Sequence, residues 1–413
     1  MVNGVESLAP HLGPMNRLPY GRQLIEDDDV AAVVAALRSD YLAHGPRVTA
    51  FEQAFAEQVG AREAVACSSA TAALHLALRS LGVGPGDVCI APAITFLSTA
   101  TSALMCGAEV RLADVDPDSG LMTADTLADA IGRAGRPVKA VLPVHLGGRI
   151  ADMAAISLIA RAEGAAIVED ACHAVGGADA LGRPIGSCGL SNAATFSFHP
   201  VKTLAAGEGG MVSLNDPDQA ARLRRLRNHG VTHDPALMTE AESLDADGAR
   251  KPWIYEQIEL GFNYRMDEMS AALGASQLMK LDRFVARRAE LAALYDAALA
   301  PLAPVIRPTP QGEGRPGWHL YQVLIDFDAL EEDRSTLMRR LAEAGIQTQV
   351  HYIPLYRQPT FIARYGPMRL PGAEAFYART LTLPLFPAMA DGDVARVVGG
   401  ITAPSPTPPA RRA

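Results

Sequence analysis

EAVACSSATAALHLALRS, residues 63–80, reads as a short apolar strand that stops at two serines and turns directly into a helix. The same alternation continues on its C-terminal side. DVCIAP is followed by FLSTATSALMCG, EVRLADV by TADTLADAIGRA, and KAVLPVH by ADMAAISLIARAEG and then AAIVED, which ends at Asp170. Repeated strand–helix units of this length call for parallel strands covered by helices on both faces, an α/β fold. On the N-terminal side, Glu26 and Asp27 to Asp29 fit the first turn of a helix, where carboxylates favour the dipole, and YLAHGP follows it as a turn. Beyond Ser191, ATFSFH and GMVSL read as strands, DQAARLRRLRNHG as a helix, and residues 232–252 as a loop. The periodic run 267–300 reads as one or two helices. Residues 301–402 mix the strand-like HLYQVLIDF with RSTLMRRLAEAG and GDVARVVGGIT, an α+β pattern.

The expected organisation is an N-terminal segment 1–25, a large domain 26–265, linking helices 266–300, a smaller C-terminal domain 301–402 and a Pro-rich, disordered tail 403–413. The chain has 413 residues, of which 49% are hydrophobic and 20% charged, enough apolar material for a substantial core. Its net charge of -9, with no long basic run, argues against a nucleic-acid partner. Five scattered cysteines without a CxxC pair signal neither a disulfide framework nor a metal site, and fit thiols in a reducing cytoplasm. The first residues lack the pattern of a secretory signal. The uncharged stretch 88–108 is broken by Pro92, Gly107 and hydroxyl groups, so it reads as a buried strand and a core-facing helix, not a membrane span.

Three motifs point to chemistry. At 68–78 the first amides of a helix, at Ala70 and Thr71, suit a phosphate, although simple capping by Ser69 or Thr71 explains the same residues. At 165–177 an apolar strand delivers Asp170 to its carboxyl end, where ligands sit in such sheets and a carboxylate can pair with a cationic ring nitrogen. Capping of the next turn is the competing role. At 193–214 Lys202 is alone in an uncharged run beside a Gly-rich turn, and desolvation would free its amine for Schiff-base chemistry. A phosphate cradle, a strand-end Asp and a desolvated Lys are together the parts of a pyridoxal 5′-phosphate site. Phe96 can stack on the ring or pack in the core.

SSATAALHLAL, PAITFLSTA, VEDACHAVGG, FSFHPVKTLAAGEGG and ELGFNYRMDEMSAALGASQL, in this order between Leu18 and Ile401, resemble the DegT/DnrJ/EryC1/StrS family of sugar-nucleotide aminotransferases. The resemblance implies the fold-type I architecture of PLP-dependent aminotransferases, a large domain with a mostly parallel sheet between helices plus a smaller C-terminal α+β domain. It makes Lys202 the Schiff-base lysine and Asp170 the partner of the ring nitrogen. Ala70, Thr71 and Ser197 become phosphate contacts, Phe96 the stacking residue, and Asn263, with Arg265, a contribution from the neighbouring subunit of a homodimer with shared sites.

LPYGRQ, RSDYLAHGP, WIYEQIELGFNYRM and TQVHYIPLYRQP resemble most the branch that aminates a UDP-linked 4-keto-6-deoxy-N-acetylhexosamine. The expected donor is L-glutamate and the expected product UDP-4-amino-4,6-dideoxy-N-acetyl-β-L-altrosamine, a precursor of pseudaminic acid. Substrate contacts then map to Tyr20, Asp40, Tyr41, Leu42 and Ala43, to Ala70, Ser197, Asn263 and Arg265, and to His351, Tyr352, Ile353 and Pro354. Three departures stand out: LAHGP in place of LTQGP, Leu204-Ala205-Ala206 after the lysine, and Cys172 in place of a small Ala. A 3-dehydratase would carry histidine in place of Lys202, and a non-catalytic regulator would be expected to lose Lys202 or Asp170. Another nucleotide-linked 4-keto-sugar aminotransferase, making perosamine, a bacillosamine precursor or a dTDP-amino sugar, shares the whole catalytic set.

Overall fold

The structure, a computed structural model, describes residues 17–403, so the expectations for residues 1–16 and for the tail from 404 lie outside the described residues. Seven strands form the main sheet: β1 (Glu63–Cys67), β2 (Val88–Pro92), β3 (Glu109–Ala113), β4 (Ala140–Val141), β5 (Ala166–Asp170), β6 (Ala193–Ser197) and β7 (Gly210–Leu214). Their spatial order is β1-β7-β6-β5-β4-β2-β3. All neighbouring pairs are parallel except those of β7, which runs antiparallel to both β1 and β6. The fold is therefore α/β with a mostly parallel sheet, as the strand–helix alternation implies. The antiparallel insertion of β7 is the feature that alternation does not predict.

Helices α1 (Asp27–Leu37), α2 (Pro46–Val59), α3 (Ala70–Ser80), α4 (Leu97–Met105), α5 (Ala124–Ala134), α6 (Met153–Ala162), α7 (Pro217–Arg227) and α8 (Glu268–Leu278) surround the sheet. Period-2 side-chain alternation divides each strand between two cores. In β2, Cys89 and Ala91 pack with Leu74, Leu76 and Leu78 of α3, while Val88 and Ile90 pack with Leu127 of α5 and Ile156 of α6. Each fully buried Val, Leu or Ile contributes roughly 1.5–3 kcal/mol, so two apolar faces hold the strands flat between helices. Helix α2, which carries Phe51 and Phe55 at helical spacing, meets Phe196 and Phe198 around β6; the Phe55 and Phe196 centroids lie 5.0 Å apart.

The long helix α9 (Leu281–Leu299) bridges two cores. Leu281 and Val285 pack with the α2 layer, whereas Leu291, Tyr295 and Leu299 belong to a second core. After the small pair β8 (Val231–Thr232) and β9 (Glu256–Gln257), this second core is built on the antiparallel sheet β10 (Ile306–Pro308), β11 (Tyr321–Ile325) and β12 (Thr380–Leu383). Helices α10 (Arg334–Glu343), α11 (Pro359–Tyr365), α12 (Pro371–Arg379) and α13 (Asp391–Thr402) complete the chain. Leu18 pairs with Ile346, and the Leu385 amide donates to the Tyr20 carbonyl, which ties the start of the described chain to this smaller unit. All five cysteines are unpaired. Among the described residues, no helix is long and apolar enough to cross a membrane.

Candidate active site

The carboxyl ends of β1, β2, β5 and β6 open onto one cavity of about 600 Å³, closed on its far side by residues 349–353 and by Tyr20. Asp170 is the last residue of β5 and is buried. Beyond Val141 the pairing with β4 resumes in the same register at Val144, which bridges Asp170 through bonds from Asp170 N–H to the Pro143 carbonyl and from His145 N–H to the Asp170 carbonyl. The side chain is fixed from α4: Thr99 Oγ1 donates to Asp170 Oδ2 at 2.6 Å, and Thr95 lies 2.7 Å from the Thr99 hydroxyl. Since Thr99 spends its one proton on the carboxylate, Thr95 is the donor in the second bond. Oδ1 accepts the Cys172 amide at 3.2 Å and keeps free lone pairs.

Lys202 sits on the connection between β6 and β7. Leu204, Ala205 and Ala206 anchor that connection in the core, and the Ala206 amide donates to the Phe198 carbonyl. Burial pulls the Lys202 ammonium below the ordinary lysine range, although the Cys172 sulfur and the Asp170 carboxylate draw it the other way. At the end of β1, Ser69 caps α3 by accepting the Ala72 amide, which leaves the amides of Ala70 and Thr71 without intrahelical acceptors. Gly210 is needed here: a Cβ would run into the backbone of Ser69 and Ala70, so only glycine lets β7 start against this helix end.

Tyr20, Ala70, Thr71, Phe96, Asp170, Ser197, Lys202, His351, Tyr352 and Ile353 thus line one cavity. Phe96, the N-cap of α4, is half exposed into it, with its ring 6.0 Å from that of Tyr352. Pro354 is buried behind the wall, where it starts a 3₁₀ turn. Asp40, Tyr41, Leu42 and Ala43 are exposed and outside the cavity. The fully buried Glu268 of α8 holds that turn: its carboxylate accepts the amides of Gly45 at 3.0 Å and Arg47 at 2.9 Å, and its own amide donates to the Leu42 carbonyl. Asn263 is exposed and Arg265 bonds Asn228 at 2.7 Å, both also outside the cavity of their own chain.

The sequence reading did not assign Thr95 and Thr99, whose partner Asp170 is 71 positions from Thr99, nor the buried histidines His173 and His319 of the cavity wall. His173 Nδ1 accepts the Gly147 amide at 3.1 Å, its Nε2 lies 3.2 Å from the Tyr352 hydroxyl, and its ring is 4.5 Å from that of His319. Burial holds His173 and His319 well below the ordinary histidine range and His351 down to about 3, so this wall is uncharged. A cavity with a desolvated amine at Lys202, an anchored carboxylate at Asp170 and open helix amides at Ala70 and Thr71 matches what pyridoxal phosphate requires.

Residues 23–402 match the model of the DegT/DnrJ/EryC1/StrS aminotransferase family. The chain is 38% identical over 387 residues to the spore coat polysaccharide biosynthesis protein SpsC of Bacillus subtilis (strain 168), covering 93% of this chain and 96% of that protein. Among solved structures, it superposes on Helicobacter pylori PseC, an aminotransferase involved in the biosynthesis of pseudoaminic acid. The TM-score is 0.84 at 26% identity, over 93% of this chain and 98% of that one. It also superposes on the PMP form of the putative sugar aminotransferase Spr1654 from Streptococcus pneumoniae, with a TM-score of 0.83 at 28% identity and the same coverage.

Proposed function

Since this chain belongs to the DegT/DnrJ/EryC1/StrS family and is a PLP-dependent sugar aminotransferase, we propose that it moves an amino group from L-glutamate to C4 of a UDP-linked 4-keto-6-deoxy-N-acetylhexosamine. The product is then UDP-4-amino-4,6-dideoxy-N-acetyl-β-L-altrosamine, destined for pseudaminic acid. The observation that supports this reading is the single cavity that joins Lys202 and Asp170 to Tyr20 and the His351–Ile353 run.

Bound there, pyridoxal phosphate supplies an electrophilic aldehyde and an electron-withdrawing ring. Lys202 Nζ would hold that aldehyde and, as a free amine, would take and return the proton at the reacting carbon, a role its desolvation favours. Asp170 would pair with the ring nitrogen, its carboxylate kept in place by the Thr99 bond to Oδ2. The Ala70 and Thr71 amides, with Ser197 at the end of β6, would hold the phosphate, and Phe96 would flank the ring. In a homodimer, Asn263, Arg265 and the Asp40–Ala43 turn reach the neighbouring subunit's cavity. The exposure of Asn263 and of the Asp40–Ala43 turn, and that of Trp253 and Leu260 ahead of Asn263, supports this. A second reading, another nucleotide-linked 4-keto sugar, is favoured by the 38% identity to SpsC against 26% to PseC. Retention of both Lys202 and Asp170 argues against a non-catalytic regulator.

The test is the visible absorbance of the purified protein with its cofactor. A band that bleaches with L-glutamate and returns with the UDP-4-keto sugar is expected, and Lys202→Ala should abolish the cycle. Bleaching that is restored only by a different nucleotide sugar would favour the second reading. Full turnover by the Lys202→Ala protein would remove the catalytic assignment.

A further inference from the structure

The uncharged wall opposite Phe96 contains a hydrogen bond whose direction is fixed by the backbone. The turn 146–148 has Gly147 at φ 71°, and from this turn the Gly147 N–H reaches His173 Nδ1 at 3.1 Å. Nδ1 must therefore hold a lone pair. His173 is buried, which disfavours a second proton, and Lys202 and Arg149 act in the same direction. The ring is thus neutral with its single proton on Nε2. Nε2–H then donates to the Tyr352 hydroxyl 3.2 Å away, and Tyr352 can only be the acceptor in that bond.

The consequence lies on the other side of the phenol. Tyr352 keeps its proton, because burial and the nearby Asp170 carboxylate hold it well above the ordinary tyrosine range. With His173 occupying a lone pair, the O–H has no acceptor among the described residues, and Tyr352 lines the cavity. Its acceptor therefore comes from the cavity, where a ligand oxygen can take the bond. An amino donor presents a carboxylate, which is matched best by a cation. A neutral phenol among the neutral rings of His173, His319 and His351 suits an uncharged carbonyl.

Resting on the keto-sugar reading above, we propose that Tyr352 donates its hydrogen bond to the carbonyl oxygen of the sugar acceptor, and that His173 is the positioning residue that sets the direction of that bond. Tyr352 polarises the carbonyl, and the Gly147 amide, acting through His173, keeps the phenol from turning its proton inward.

Two measurements decide this. In the wild-type protein without cofactor, the imidazole ¹⁵N shifts of His173 should report a proton on Nε2 and a bare Nδ1, unchanged between pH 8 and pH 6. A proton on Nδ1, or a charged ring, overturns the proposal. In single-turnover kinetics, Tyr352→Phe should slow the keto-sugar half-reaction at saturation by about 10- to 100-fold and leave the glutamate half-reaction within about twofold. His173→Leu should match that loss. His173→Gln, whose amide can accept from Gly147 and donate to Tyr352, should restore most of it. The double variant Tyr352→Phe/His173→Leu should be no slower than Tyr352→Phe alone, the mark of residues acting as one unit. Equal loss in both half-reactions, or additive effects, refutes the assignment. Turnover of the keto sugar by the wild-type protein with Tyr352→Phe unaffected overturns this proposal alone, whereas refusal of the keto sugar by the wild-type protein overturns the substrate reading with it.

Discussion

Replacing Thr99 by Val removes one hydroxyl from the structure at nearly constant volume, and the effect on Asp170 can be worked out from the contacts. The Thr99 Oγ1 to Asp170 Oδ2 bond is 2.6 Å long, Thr99 is fully buried and Asp170 nearly so. A buried hydrogen bond to a carboxylate contributes about 1.5–3 kcal/mol, and leaving the Thr95 hydroxyl unpaired adds about 1 kcal/mol. The variant should therefore lose about 2.5–4 kcal/mol. With an unfolding entropy of about 2 cal/mol/K per residue, each kcal/mol is worth a little over 1 °C for a chain of this size, so the melting temperature should fall by about 3–5 °C. The assay is differential scanning calorimetry of the cofactor-free protein at one fixed concentration and pH. Thr99→Ser, which keeps the hydroxyl, should recover most of the loss, and Thr95→Val, which removes only the neutral donor, should cost about a third as much. A Thr99→Val protein that melts with the wild type, or a Thr99→Ser protein as unstable as Thr99→Val, would refute the idea that α4 anchors the carboxylate.

Gly210→Ala should weaken pyridoxal phosphate binding about tenfold or more, because the added methyl displaces the Ser69–Ala70 backbone at the helix end; titration of the cofactor-free protein reads this directly. Glu268→Ala should release the turn at residues 42–47, since it deletes two charge-assisted bonds of about 1.5–3 kcal/mol each. Faster hydrogen exchange in that turn and a tenfold or larger rise in KM for the sugar nucleotide, with KM for glutamate little changed, are the expected signs. The rate of cofactor incorporation should climb with pH and level off below 10.5, the ordinary lysine value, because burial lowers the Lys202 pKa and the amine is already free at lower pH. A stopped-flow profile that continues to rise through 10.5 would contradict this.

Much of the sheet was legible because its strands are short apolar runs ending at small or charged residues, and the positions at their carboxyl ends, Asp170 and Ser197, mark one rim. The direction of β7 was not legible: GMVSL reads the same along either sense, and its orientation is set by the anchored connection through Leu204 and Ala206. Helix α2 was passed over although Pro46, Phe51, Phe55 and Gly60 carry ordinary start, spacing and stop signals. Strand β12 was missed because Thr380 and Thr382 read as polar, yet both are fully buried. Within the cavity, the residues that could be assigned from their own chemistry were the lysine, the strand-end carboxylate, the first amides of a helix at Ala70 and Thr71, and the aromatic Phe96. Thr99 and His173 acquire meaning only through partners 71 and 179 positions away.

The position of β7 also bears on how the molecule is made. Among the described residues β1 has no sheet neighbour except β7, and their partners are 143 to 151 positions apart, from Cys67 with Gly210 to Glu63 with Leu214. At about 5–20 residues per second of synthesis, β1 waits roughly 8–30 s on the ribosome before its only ladder partner has been made. The start of α3, joined to β1 by two serines, waits with it. A nascent chain shorter than 210 residues thus has neither Gly210 nor a paired β1 to seat that helix end, and the phosphate cradle is among the last parts of the large sheet to assemble. Cofactor capture then becomes a report that translation of the sheet is complete, and ribosome-stalled chains ending before β7 should emerge without it.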